Sequence, residues 1–198
     1  SGLSAVHRAN LAAGLRLKTG APLFVLCPDD TTAENFANDL RSMLGEEVTC
    51  LGMRDFTFYS TEAASRQAEQ KRLAALFTLA EGRSAVTVAS IPGLLQRTIP
   101  PETLRRAAFE IDAGGSYPIE DVEAALLRCG YTRTEQVEGA GQFARRGGIL
   151  DFFSPSEHEP VRIEFWGDDV DSMGHFDVAS QRRTEPLERC VILPAAET

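Results

Sequence analysis

Lysine is nearly missing from this chain: Lys18 and Lys71 are the only two in 198 residues, and neither follows a glycine. That excludes a phosphate-binding loop of the form GxxxxGK[ST]. The loop needs its lysine because backbone N–H groups cradle the phosphates while the ammonium reaches the β and γ oxygens. Ahead of the first expected helix, where such a loop would belong, Ser1–Asn10 offers His7 and Arg8 instead. Long apolar runs are missing too. None reaches the roughly 18 residues that a membrane-spanning helix requires, so no membrane partner is expected. There is no signal-peptide pattern and no initiator methionine, which reads as a piece of a longer protein.

The four cysteines, Cys27, Cys50, Cys129 and Cys190, form no CxxC pair, and the three histidines are scattered. Spacing therefore argues against a zinc site, and no metal ligand is expected. With no disulfide framework, the reducing cytoplasm is the default compartment. Cys27 closes an apolar run and reads as a small core residue. HExxH and GxSxG are absent, so no catalytic residue stands out. The carboxylate pairs Asp29/Asp30 and Asp168/Asp169 read as turn and cap residues. Excess positive charge is absent as well. The net charge is −9 and the pI about 4.9, which opposes nucleic-acid coating. Only local pairs such as Arg105-Arg106 and Arg182-Arg183 run against it.

What remains is an ordinary soluble composition, 43% apolar and 25% charged, long enough for one large or two small domains. Residues 3–18 predict a helix. Pro22–Cys27 is a continuous apolar run, the pattern of a strand buried on both faces. Thr31 and Glu34 suggest a capping box for a helix running to Leu44. Glu47–Leu51 predicts a second strand, Gly52–Ser60 an aromatic loop, Glu62–Ala80 a long helix and Ser84–Ala89 a third strand. Strands alternating with helices predict a parallel sheet. Asp112-Ala113-Gly114-Gly115 is the expected joint. Beyond it, one helix from Pro118 to about Gly130 is followed almost entirely by strands. The expected fold class is thus α/β for residues 1–111 and a smaller α+β domain with an antiparallel sheet for residues 112–198.

The second unit carries the most specific stretch. Gly148–Phe153, Val161–Trp166 and Asp169–Phe176 are short β-rich runs separated by turn residues, the pattern of a meander. Val161, Ile163 and Phe165 alternate with Arg162, Glu164 and Trp166, so the second set faces away from the core. A tryptophan beside an arginine on an outer face has the composition of a protein-binding hot spot; the alternative is a tryptophan covering the back of the sheet, stacked on Arg162. If Phe153 lies opposite Val161, the outer face also receives Arg146, Leu150 and Phe152. A one-residue slip would undo that grouping.

The motif GYTRTEQVEGAGQFARRGGILDFFSP, followed by PVRIEFWGDDVDSMGHFDVASQR, resembles the N-terminal, UvrB-like region of the bacterial transcription-repair coupling factors, the Mfd family. The resemblance covers essentially the whole chain and includes FVLCPDD and VASIPGLLQR. It implies a degenerate helicase-like first domain without a phosphate loop and a second domain that binds UvrA, the damage-recognition ATPase. The implied role is a non-catalytic adaptor that brings excision repair to stalled RNA polymerase. Family members are ATP-dependent DNA translocases, but ATP, Mg²⁺, RNA polymerase and DNA would be engaged by domains beyond this stretch, leaving no cofactor here. The alternative is a fragment of UvrB or another ATP-dependent helicase acting on damaged DNA. UvrB should carry an intact phosphate loop and a long aromatic hairpin; Gly52–Thr61 holds Phe56, Phe58 and Tyr59 but is short for that hairpin.

The resemblance carries UvrA contact onto Arg146, Arg162 and Trp166, the last where the family often has Phe. The register adds Leu150, Phe152 and Glu164. Ala144 stands where UvrB-like sequences have another arginine, and Arg145 points the other way on a regular strand. Because Arg162 faces outward, its removal is expected to leave folding largely intact. Two outcomes follow from composition. The chain should neither bind nor hydrolyse ATP; micromolar affinity by calorimetry, lost on altering Ser1–Asn10, would overturn this. It should also not bind DNA tightly at physiological salt, and a salt-sensitive gel shift at nanomolar protein would contradict that.

Overall fold

The structure, a computed structural model, describes residues 2–54 and 62–196. The aromatic loop with Phe56, Phe58 and Tyr59 lies outside the described residues. The chain separates into two units, Ser1–Thr98 and Ile99–Thr198.

The first unit runs α1 (Ala5–Thr19), β1 (Leu23–Cys27), α2 (Asp30–Leu44), β2 (Thr49–Leu51), α3 (Glu62–Ala80), β3 (Val86–Ser90) and α4 (Ile91–Leu95). Its three strands form a parallel sheet in the order β1-β3-β2, as the alternation of helix and strand predicts. The N-cap of α2 differs from the expected capping box. Asp29 occupies it, and its carboxylate accepts from the Thr32 amide at 2.7 Å. That bond holds the Asp29 carboxyl below the usual aspartate range. Asp30, the first residue of α2, accepts from the Met53 amide at 3.2 Å, so of this acidic pair Asp29 is the cap and Asp30 ties the helix to the segment after β2.

Packing in this unit is one-sided at β1. Leu40 of α2 and Val86 and Val88 of β3 are fully buried in a core that Leu23, Val25 and Cys27 join. Phe24 and Leu26, on the other face of β1, are 54% and 57% exposed. The run Pro22–Cys27 is therefore not buried on both faces. β1 is an edge strand, and the central strand buried along its whole length is β3.

Arg72 of α3 is 1% exposed. Its Nη1 donates to the carbonyls of Gly52 (2.7 Å) and Gly93 (2.8 Å). These backbones approach closely: a Cβ on Gly93 would lie 2.8 Å from the Gly52 carbonyl carbon.

The second unit continues with α5 (Pro101–Ala107), β4 (Phe109–Asp112), α6 (Ile119–Arg128), β5 (Thr132–Arg133), β6 (Gln142–Arg146), β7 (Ile149–Phe152), β8 (Val161–Trp166), β9 (Asp169–Phe176), β10 (Arg183–Pro186) and β11 (Arg189–Ile192). Six strands form one sheet in the order β10-β9-β8-β7-β6-β5, the expected meander, with only the short β5–β6 pairing parallel. β4 pairs antiparallel with β11, from Arg189↔Asp112 to Ile192↔Phe109. This pairing ties β4 to the C-terminal strand, so the division falls upstream of the Asp112–Gly115 joint. Val122 and Leu126 of α6 pack with Phe143, Leu150, Phe152, Val161, Ile163 and Ile192 in one fully buried cluster.

Gly93→Ala should destabilise the first unit. Any added carbon meets backbone rather than a yielding side chain, and overpacking of this kind costs about 1–3 kcal/mol. Denaturant unfolding checks this; an unchanged midpoint would show that the contact is loose.

Candidate functional site

The outer face of the six-stranded sheet is set by two turns. Gly147-Gly148 closes the β6–β7 hairpin with Gly147 at φ 62, so Arg146 pairs with Ile149. Gly148 lies against β8: Phe165 donates its amide to the Gly148 carbonyl at 2.8 Å, and a Cβ there would sit 2.8 Å from the Phe165 oxygen. On the other side, β7 ends at Phe152. Phe153 turns back toward β6, donating to the Gln142 carbonyl at 3.0 Å and accepting from Gly141 at 2.8 Å. The first pair across the β7–β8 loop is therefore Phe152↔Val161, followed by Asp151↔Arg162, Leu150↔Ile163 and Ile149↔Glu164.

This register is slipped by one residue from the expected Phe153↔Val161 pairing, and a slip of one exchanges the faces. Leu150 and Phe152, placed outside by the sequence register, are fully buried core residues. Asp151 takes their place on the outer face. The alternation of β8 itself holds: Val161 and Ile163 are buried, while Arg162, Glu164 and Trp166 lie on the other side.

Asp151 is 1% exposed and collects both arginines. Arg162 reaches it in a bidentate fork, Nε to Oδ1 at 2.7 Å and Nη2 to Oδ2 at 2.9 Å. Arg146 Nη2 reaches Oδ2 at 2.6 Å. A carboxylate this buried is stable only when paired and hydrogen-bonded, and a planar guanidinium supplies both. Arg162 is held on its other sides too. It donates to the carbonyl and to Oε1 of Gln181, each at 3.2 Å, and stacks 4.5 Å over the Phe176 ring. Gln181 has a positive φ of 59, an unusual backbone for a side-chain-bearing residue, and its Nε2 donates to the Val178 carbonyl at 2.8 Å. Donation to Asp151 raises the Arg162 pKa against the opposing effect of burial.

The two arginines differ in access. The Arg162 side chain is 15% exposed and that of Arg146 49%. Trp166 is 83% exposed, at the β8–β9 hairpin where it pairs with Asp169. The ring does not cover the back of the sheet, and Arg162 stacks on Phe176 instead. Phe176, Ala144 and Val137 make a small buried cluster with Phe153 beside it. Glu164 completes the face, accepting from Arg183 at 3.2 Å and from the Ser172 hydroxyl at 3.0 Å. Arg145 belongs to the opposite face, where it donates to Glu120 (2.8 Å) and Glu123 (3.0 Å), and so does not replace the missing arginine at Ala144.

Sequence reading missed Asp151, Gln181, Arg183 and Ser172. One signal was present: an aspartate inside an apolar strand must find a cation. Among the described residues, no acid–base or nucleophilic constellation accompanies this face. The Cys190 thiol is pushed well above its ordinary range by burial, as is Cys129 to a lesser degree.

Residues 109–197 match the UvrB interaction domain family. The whole chain also aligns with larger proteins. The transcription-repair-coupling factor of Myxococcus xanthus is 32% identical over 99% of this chain and 17% of its own length. That of Mycobacterium tuberculosis is 34% identical over 94% of this chain and 16% of its own. UvrABC system protein B of Thermosipho africanus is 25% identical over 91% of this chain and 29% of its own. The chain thus spans about one sixth of the coupling factors it matches.

The buried carboxylate yields a stability prediction that replaces the sequence expectation for Arg162. Asp151→Ala should cost about 3–5 kcal/mol, the usual penalty for removing one member of a buried pair. Arg162→Ala should cost less, about 1–3 kcal/mol, because Arg146 still reaches Asp151. Arg146→Ala should cost least, its exposed guanidinium being screened by solvent. Denaturant unfolding of the three variants gives the order; Asp151→Ala at wild-type stability would show that the carboxylate does not organise the face.

Proposed function

We propose that this chain, which is similar along its length to transcription-repair-coupling factors and matches the UvrB interaction domain over residues 109–197, is a non-catalytic adaptor module whose outer sheet face binds UvrA. The observation that carries the reading is one combination. Trp166 is almost fully exposed on the same sheet side as the Arg146–Asp151–Arg162 group. An exposed aromatic on a sheet that also carries an arginine with room for a second partner is the make-up of an interface hot spot.

In this reading Trp166 enters an apolar recess of UvrA. Arg146 gives the spare face of its guanidinium to a carboxylate there, and Glu164 with Arg183 forms the polar rim. Arg162 contributes the edge of its fork and keeps Asp151 neutralised, so no bare carboxylate repels an acidic partner. Recruiting excision repair to stalled RNA polymerase would be the outcome, with polymerase, DNA and ATP engaged by other parts of the longer proteins. The first unit would be a helicase-like domain that lacks a phosphate loop and acts as a scaffold. A UvrB origin is the second reading, but the higher identity to the coupling factors favours the first.

Titration of purified UvrA against the chain tests the proposal. Trp166→Ala should weaken binding about thirtyfold, as removal of a 2 kcal/mol anchor does, with the melting temperature unchanged because the ring lies in solvent. Arg162→Lys should recover only part of the affinity lost in Arg162→Ala, because an ammonium cannot make the fork. Normal binding by Trp166→Ala would place the interface elsewhere.

A further inference from the structure

The fold brings together two of the three histidines that the sequence scatters. His175 lies in β9, opposite Val161 of β8, and is 3% exposed. Glu157 and His158 come from loop 153–160. His175 Nε2 lies 2.9 Å from Glu157 Oε2. The His158 and His175 rings stand edge to face with centroids 4.5 Å apart. One ligand-capable atom from each of the three residues lies within 4.8 Å of the others.

The loop holds this arrangement by its own bonds. The buried Ser154 hydroxyl accepts from the Leu193 amide at 3.3 Å. Glu157 donates its amide to the Ser154 carbonyl at 3.0 Å. The neighbouring acid, Glu159, is engaged by the Thr184 hydroxyl at 2.6 Å. Glu157 is thus the carboxylate left to face the imidazoles. A second observation is independent of this clustering: His175 Nδ1 is buried with no hydrogen-bond partner among the described residues. An imidazole buried with half its polar capacity unused is costly for the protein alone; a cation taken up at Nδ1 offsets that cost, whereas one taken up at Nε2 replaces the contact to Glu157.

We propose that Glu157, His158 and His175 form a site for a zinc-class divalent cation. Two imidazoles and one carboxylate are a borderline donor set that suits Zn²⁺, Ni²⁺ and Co²⁺ rather than Mg²⁺ or Ca²⁺. Zinc bonds of about 2.0–2.2 Å place two ligands of one ion no more than about 4.2 Å apart. The present spread therefore closes with a small movement of His158, which is exposed and has room to turn. Three protein ligands leave the fourth position to solvent or to a group from a partner. The bound ion would join loop 153–160 to β9 at His175, which pairs with the buried Val161.

Zinc titration of the untagged chain by calorimetry and thermal melting tests the site. The expected result is saturable one-to-one binding with a melting temperature raised by a few degrees, because the ion binds the folded state. His158→Ala and Glu157→Gln should fold normally and weaken zinc binding at least about tenfold, the loss that supporting-shell changes alone already cause. Cys50→Ser and Cys129→Ser should bind as the wild type does. Absence of binding, unaltered binding in His158→Ala, or binding that disappears with the cysteines would overturn the proposal.

Discussion

The second unit depends on one buried carboxylate. Asp151 sits in the middle of a β-strand with apolar neighbours on both sides, and it is tolerable there only because two arginines converge on it. That requirement reaches well beyond the pair. It fixes the register of β6, β7 and β8 against one-residue slips, since such a slip at either pairing would take one of residues 146, 151 and 162 to the opposite face. It also orders the segment after β9, because the same Arg162 guanidinium grips Gln181 and covers Phe176. A chain with net charge −9 thereby keeps a small patch where two cations share one anion. The residual charge favours an acidic partner without making the domain basic.

The first unit is built on different physics. Its parallel sheet rests on α2, and its central strand is buried along its length. One buried arginine, Arg72, satisfies the Gly52 and Gly93 carbonyls at once. A buried charge that serves backbone acceptors sets the path of the chain more than its stability, and the near contact between Gly52 and Gly93 follows from that path.

Much of this was legible in the sequence. The alternation of β8 gave Arg162, Glu164 and Trp166 their correct side, because Val, Ile and Phe occupy one parity without exception. The parallel and antiparallel halves followed from spacing and turn residues. The register of β7 was not legible. Leu150, Phe152 and Phe153 place apolar side chains on both parities, so hydrophobicity fits either alignment equally well. What decides it is the exit of Phe153 toward β6 and the burial of Asp151, both non-local. The cap of α2 was misassigned because Thr31 and Glu34 satisfy the motif while Asp29, two residues earlier, reaches the amide first. β1 was misread because an apolar edge strand and an apolar central strand share a composition.

The central claim is that the carboxylate and its arginines act as one unit in presenting the outer face. A double-mutant cycle at Asp151 and Arg162, read on both unfolding free energy and UvrA affinity, tests it most directly. The account predicts a strong coupling: the double alanine variant should be distinctly more stable than the sum of the single losses implies, by about 1–3 kcal/mol, because removing both leaves only the half-exposed Arg146 unpaired. Its UvrA affinity should be no lower than that of Asp151→Ala alone. Additive losses in both measurements would mean that the two residues act separately, and would contradict the account.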